Sequence, residues 1–426
     1  MAEPKIEQTI SGAVQGRHLV HELARLHGEL PATERFRTEA MNAFRRRELP
    51  DRVTHLWRYS DPELFVPRES VLQPHRQPDP VILPKDGPAV VLRSGCAPIP
   101  NKPAVESGIV IGPLGTAATD LDYLGDAVPA SHGYFEALNG ASWNAGVVVR
   151  ITRNLDPDSF LRLVIPADAP VNLPRILVVV EDSASGAVVE DHLGGRGIVQ
   201  VIAVSELIVG QNASLNHLVL QRWEPKVRGY LTVRARLSRD SRYQAGVVCL
   251  GGDVAKLDVG AVLTGPGARS ELTGVALAEG RQHLDFHTEH RHLAPHTWSN
   301  LTFKAALTDR ARSVYTGLIR IENEAPGSEA YQENRNLLLS ERCRADIIPE
   351  LEILNEDVSC SHGATAAPVD PEHLFYLQSR GLPAAEASRL VVRGFLEDAL
   401  RSIPANLRGD VDTLLDERLA RLRGVS

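Results

Sequence analysis

Apolar residues recur along this chain with two different periods, and the change of period divides it. Near the N-terminus Leu19, Leu23, Leu26 and Leu30 return at helical spacing until Pro31 breaks the run. A second helix is expected over 33–49, with Thr33 as its cap, Phe36, Ala40 and Phe44 on one face, and Pro50 as its stop. Arg45, Arg46 and Arg47 fall in its last turn, where cations complement the helix dipole. The triplet therefore reads as a solvated helix end rather than a nucleic-acid patch.

From about Val90 the period becomes two. Val227, Leu231, Val233, Ala235 and Leu237 alternate with Arg228, Tyr230, Thr232, Arg234 and Arg236, the signature of a half-buried strand. Leu257, Val259, Ala261 and Leu263 repeat it and run into the turn Gly265-Pro266-Gly267, and Thr273, Val275 and Leu277 continue it. Further strand-like runs lie near Phe303, Ile319 and Leu338, with centres roughly twenty to thirty residues apart and no helix signal between them. Such spacing suits a sandwich or a solenoid of stacked β-coils, and periodicity alone does not choose between them. After Asp370 helices return. Over 383–403, Val392, Leu396, Ala399 and Ile403 share a face with Phe395, opposite a Glu397–Arg401 pair, until Pro404 ends the run. A last helix is expected over 410–423, acidic at its start and basic at its end, closed by Gly424. These apolar faces read first as core, and one of them as a docking surface for another protein.

Composition narrows the class. A chain of 426 residues can bury a large core and divide into two or three domains. Its net charge of -8 argues against a nucleic-acid or anionic-membrane partner, and 5% aromatic residues is low for a protein built on aromatic-lined pockets. Met1-Ala2-Glu3-Pro4-Lys5-Ile6-Glu7 shows no signal-peptide core, and no apolar run reaches membrane-spanning length. Cys96, Cys249, Cys343 and Cys360 form neither a C-x-x-C pair nor a disulfide framework. The expectation is a soluble protein of the reducing cytoplasm.

Several chemistries lack their motif. No segment matches G-x-x-x-x-G-K-[ST], so the chain alone is not expected to hydrolyse ATP. Gly194-Gly195-Arg196-Gly197 lacks the G-x-G-x-x-G spacing and reads as a turn between strands. Neither a G-x-S-x-G elbow nor an H-E-x-x-H helix is present. Two constellations remain. His283, Asp285, His287, His290, His292 and His296 crowd one stretch. On a strand His283, Asp285 and His287 share one face, as do His290 and His292, which permits a metal site or a polar, hydrogen-bonded strand face. In Asn355-Glu356-Asp357-Val358-Ser359-Cys360-Ser361-His362-Gly363-Ala364-Thr365, a thiol and an imidazole stand two residues apart. Both can ligate iron, zinc or an iron–sulfur cluster, but two ligands cannot close a four-ligand site. If the pair binds metal, the other ligands come from elsewhere, such as a second subunit. The bland readings are a small buried thiol beside a structural histidine, or a Cys–His nucleophile pair with no evident activating base.

The strings Gln332-Glu333-Asn334-Arg335-Asn336-Leu337-Leu338-Leu339-Ser340, Ile348-Pro349-Glu350-Leu351-Glu352-Ile353 and Asp357-Val358-Ser359-Cys360-Ser361-His362-Gly363-Ala364-Thr365 closely resemble the SufB/SufD family of iron–sulfur cluster assembly proteins. Leu374-Phe375-Tyr376-Leu377-Gln378-Ser379-Arg380-Gly381 is similar to that family's entry into its C-terminal helices. His292, Ser299, Lys304, the run Ala311-Arg312-Ser313-Val314-Tyr315-Thr316-Gly317 and Trp57-Arg58-Tyr59 also fit its pattern. The resemblance is dense from about Leu284 to Phe395 and thinner before it. Cys-x-His-Gly-Ala-Thr is similar to SufD, whereas SufB usually carries an acidic E-H-E string there.

This resemblance implies a mainly β fold: a right-handed parallel β-helix over 89–366, flanked by helical domains over 1–88 and 367–426. It implies a non-catalytic scaffold subunit that pairs with SufB through the β-helices and binds the ATPase SufC through the C-terminal helices. The assembled scaffold builds iron–sulfur clusters and passes them to apo-proteins, with a flavin in the complex as one candidate electron source. His362, with Cys360 beside it, then meets SufB ligands across the interface. The alternatives are a SufB-like homodimeric scaffold and, from another class, a β-helix carbohydrate-active enzyme, which calls for clustered acids and aromatic platforms.

Overall fold

A computed structural model of the protein describes residues 16–69, 71 and 87–421. The N-terminal heptad considered for a signal peptide, and Arg423 and Gly424 at the expected end of the last helix, lie outside the described residues. Between the terminal helices the chain winds as a parallel β-solenoid, which resolves the sandwich-or-solenoid alternative. One sheet stacks Leu161–Pro166, Ser185–Gly194, Ser214–Trp223, Arg242–Cys249, Arg269–Ala278, Trp298–Leu307, Ser328–Leu338 and Val358–Pro368. The other stacks Ala145–Ile151, Pro174–Val180, Val199–Val209, Val227–Leu237, Val254–Leu263, His283–His292, Arg312–Ile321 and Arg344–Ile353. Each strand pairs in parallel with the strand one coil earlier, so Ser214 faces Arg242 and Arg242 faces Arg269.

Parallel register stacks like positions into columns, and alternation sends every second residue inward. One inward column runs Val188, His217, Ala245, Leu272, Leu301, Gln332 and His362. Most inward positions are aliphatic and form one continuous core. Several of the polar ones pair with one another. Glu190 Oε1 meets His217 Nε2 at 3.1 Å, while its Oε2 meets His192 Nε2 at 3.2 Å and the Ser205 hydroxyl at 2.8 Å. Burial pushes the Glu190 carboxyl up, but the hydrogen bonds from His192 and His217 outweigh it and hold it down at about 2. Farther along, His290 meets Ser270 at 3.0 Å, and His292 lies between Thr297 at 2.8 Å and Ser299 at 2.9 Å.

Both outer faces are covered, and this departs from the half-buried strand expected over Val227 to Leu237. Tyr230, Thr232 and Arg234 are buried along with their inward neighbours, because the N-terminal layer lies on that sheet. Helices Gly16–His27, Pro31–Arg45 and Tyr134–Ser142 form the layer with Trp57, whose ring packs on Phe65, Phe135 and Tyr230. Tyr134 and Phe44 extend this aromatic cluster. Pro31 begins a helix rather than only ending one, since its fixed φ and missing N–H suit a first turn. Thr33 is consequently inside the helix, and its hydroxyl donates to Gly115 O at 2.8 Å instead of capping. Fully buried Arg37 donates to Glu29 at 2.6 Å and lies 3.3 Å from the centroid of the Trp143 ring.

The other outer face carries the C-terminal helices. In Ala384–Ser402 the residues Val392, Leu396 and Ala399 are fully buried, packing with Ile403 on Leu218, Leu220, Val248 and Val275 of the sheet. Lys304 donates to Phe395 O at 3.2 Å and pairs with Asp398 at 3.1 Å. The last helix spans Ala405–Leu419, starting directly after Pro404 rather than at Asp410, because that proline supplies its extended N-cap. Between the strands Ser185–Gly194 and Val199–Val209, Gly194, Gly195 and Gly197 take φ of 78°, 104° and 87°, the turn expected of them.

Burial pushes His290 down to about 3, with the charges on His292 and Arg234 adding to it, and burial alone pushes His292 down to about 4. Both lie below the 6.5 of an unfolded histidine. As pH falls from 6.5 the unfolded chain binds protons that the folded chain refuses, so stability falls with pH. Each histidine contributes a loss on the order of 3 kcal/mol by pH 4. Thermal midpoints measured from pH 7 to 4 are expected to fall less steeply for the His290→Gln/His292→Gln double variant than for the parent, and parallel profiles would contradict this.

Candidate functional site

The two ends of the solenoid are finished differently. At the N-terminal end Ala89–Val91 pairs antiparallel with Ile99–Pro100, and Val110–Pro113 pairs antiparallel with Ala145–Ile151. Beside them sits the short helix Lys102–Glu106. At the other end nothing among the described residues covers the last coil. Val358–Pro368 has no buried residue, and Arg344–Ile353 is at best half-buried, while Ser328–Leu338 and Arg312–Ile321 before them still bury inward positions. Ala345, Ile347, Leu351 and Val358 touch the core from one side only, and Ile353 and Leu354 stand exposed. The terminal strand also leaves one row of backbone N–H and C=O groups without a ladder partner among the described residues.

Cys360 and His362 belong to this open end. Register places Cys360 beside Ala330 and His362 beside Gln332, and both neighbours are buried inward positions of the preceding coil. The pair therefore occupies the inner face of the last coil, at the mouth of the solenoid. Cys360 is half-buried against the core, and burial pushes its thiol up to about 11, so at neutral pH it is a protonated thiol rather than a nucleophile. A cation or a metal bound at the mouth would lower that value and make the sulfur a ligand. His362 is exposed, with its ring free to turn toward whatever covers the coil.

Beneath them the inward row turns from aliphatic to amide. Gln332 donates to Gly317 O at 3.2 Å, Asn334 to Phe303 O at 3.4 Å, and Asn336 to Asn334 at 2.6 Å. Gln332 Oε1 and Asn336 Oδ1 are buried acceptors with no hydrogen-bond donor among the described residues. An imidazole that gives one nitrogen to a metal needs an acceptor for the other N–H, and Gln332 Oε1 lies in the neighbouring position of the same column. Sequence pattern gives Gln332 no role at a site. Only the register shows that it sits under His362.

The histidine-rich stretch divides between faces, with His283, Asp285 and His287 turned outward and His290 and His292 inward. Ser60 joins the first set, meeting His283 at 2.9 Å and Asp285 at 2.5 Å, and Lys256 meets Asp285 at 3.0 Å. His296 sits in a turn with φ of 58°. Among the described residues none of these histidines belongs to a cluster of three or more possible metal ligands.

The SUF system FeS cluster assembly, SufBD core domain, matches residues 163–395, which include both residues of the open end. An iron–sulfur cluster assembly SufBD family protein of Mycobacterium tuberculosis is 32% identical over 273 residues, covering 62% of this chain and 68% of the relative. A protein of the same description from Staphylococcus saprophyticus is 28% identical over 297 residues, 69% of this chain and 64% of its own length. One from Staphylococcus aureus is 27% identical over 324 residues, 74% and 70% of the two chains.

Proposed function

This chain belongs to the SufBD family of iron–sulfur cluster assembly proteins, and we propose that within the family it is the SufD-like scaffold subunit. In this reading it catalyses nothing itself, pairs with a SufB-like paralogue, and is driven by a separate SufC-like ATPase. Clusters are its cargo, assembled at the shared surface and passed on to apo-proteins. The observation that carries the reading is the uncovered last coil, with Cys360 and His362 on its inner face. A solenoid end with half-covered aliphatics and an unpaired strand edge calls for a second solenoid end against it. A thiol and an imidazole at that seam then supply part of a ligand set, and the partner supplies the remainder. Four free cysteines suit the reducing cytoplasm in which such a scaffold works.

A paired measurement on His362→Ala tests the ligand role. The variant is expected to keep the parent's thermal midpoint and its pairing with the SufB-like chain, since the exposed ring makes no hydrogen bond among the described residues. Maturation of a reporter iron–sulfur protein is expected to drop about tenfold. Normal maturation would reduce His362 to architecture. A chain that instead self-associates through the last coil and builds clusters without a paralogue would point to the homodimeric scaffold.

In the same reading the ATPase docks on 367–426. The apolar face of Ala384–Ser402 is already spent on the sheet. The helix Pro371–Ser379 has no buried residue and exposes Phe375 and Tyr376, with Leu390 also exposed in the following helix. Two exposed rings on one short helix suit an interface anchor. Phe375→Ala with Tyr376→Ala is expected to weaken ATPase capture by about 2 kcal/mol, roughly 30-fold, while leaving the thermal midpoint in place. Unchanged capture would move the docking site elsewhere.

A further inference from the structure

A second candidate centre lies far from the open end, where the N-terminal layer meets the sheet. We propose that His132, Glu136 and Asp258 bind one divalent transition-metal ion, which clasps the helix Tyr134–Ser142 to the solenoid. The three residues come from a loop, the first turn of that helix and the strand Val254–Leu263, and their ligand atoms all lie within 4.8 Å of one another.

The hydrogen bonds around them leave specific atoms free. Glu136 Oε1 accepts from Tyr230 OH and the Thr232 hydroxyl, both at 2.7 Å. Asp258 Oδ1 accepts from Arg234 at 2.7 Å and meets His287 Nδ1 at 2.5 Å. Glu136 and Asp258 are only 2% and 5% exposed, and their second oxygens, Oε2 and Oδ2, take no part in those contacts. A buried carboxylate is costly to desolvate unless something positive reaches it. His132 Nε2 stands 3.6 Å from Asp258 Oδ2, long for a hydrogen bond. Two ligands of a tetrahedral ion with bonds of about 2.0–2.2 Å are separated by roughly 3.4 Å, so the spacing fits two atoms sharing a metal.

Charge and access agree. Arg234 is shared between Asp258 at 2.7 Å and Glu289 at 3.3 Å, so with Glu136 the carboxylates exceed it by two negative charges, enough for one dication. Gly133 leaves room for the site, since a Cβ on it would lie 2.2 Å from Glu136 Oε2. The His132 side chain is a quarter exposed, which opens the trio to solvent for entry of the ion and for water in its remaining positions. One imidazole with two carboxylate oxygens suits a borderline ion such as Zn²⁺ or Mn²⁺ better than Ca²⁺, which prefers an all-oxygen shell.

The test uses the full chain carrying Cys360→Ser and His362→Ala, so that the open end does not compete. After treatment with chelator, titration with Zn²⁺ is expected to show one equivalent bound and a rise in thermal midpoint. Adding His132→Ala is expected to weaken binding at least about tenfold and to remove that rise. X-ray absorption of the Zn²⁺-loaded protein provides a check that depends on no further variant, and is expected to show one imidazole among oxygen ligands. No stoichiometric uptake, uptake indifferent to His132→Ala, or a shell without imidazole would overturn the site. The trio would then be a plain ion pair between His132 and Asp258.

Discussion

A coil of a parallel solenoid covers nothing by itself. Its inward side chains are buried only by the opposite sheet and its backbone groups are satisfied only by the next coil, so every coil depends on a neighbour. In this chain the dependence is met from Leu161 onward and then stops. The columns that run through Leu272 and Leu301 end on Gln332 and His362, with nothing stacked above among the described residues. The functional reading rests on that interruption. The same constraint that builds the core leaves the last coil incomplete and places the thiol of Cys360 and the imidazole of His362 in the incomplete part.

The terminal segments do not relieve the open end because they are committed elsewhere. The N-terminal layer covers the outer face of one sheet, through Trp57 and the helix Tyr134–Ser142, and the C-terminal helices cover the outer face of the other, through Val392, Leu396 and Ile403. Polar contacts add to both, with Tyr230 and Thr232 donating to Glu136 on one flank and Lys304 donating to Phe395 O on the other. The molecule is thus closed on its flanks and at its N-terminal end. Its remaining exposed apolar surfaces include the last coil and the helix Pro371–Ser379.

Much of this was legible in the sequence. Val227 through Leu237 alternated cleanly because its inward side is aliphatic throughout, and the Gly265-Pro266-Gly267 turn could only be a turn. The resemblance supplied the solenoid, which alternation could not distinguish from a sandwich, because both bury every second residue. Other features were hidden for physical reasons. Tyr230, Thr232 and Arg234 read as a solvent face because their partners, such as Glu136, Glu289 and Trp57, lie far away in sequence. Thr33 looked like a cap, yet the helix had already begun at Pro31. Cys360 and His362 were visible as a pair, but their position at an uncovered end and the orphan acceptor of Gln332 come from register, which local pattern does not encode.

The central claim is that His362 of this chain contacts the cluster assembled at the seam. Pulsed electron paramagnetic resonance on the reduced, cluster-loaded complex tests it most directly, with nitrogen-15 histidine introduced into this chain alone. The account predicts a nitrogen-15 coupling to the cluster that disappears when His362 is replaced by alanine. A loaded complex with no coupling to any histidine of this chain would contradict it.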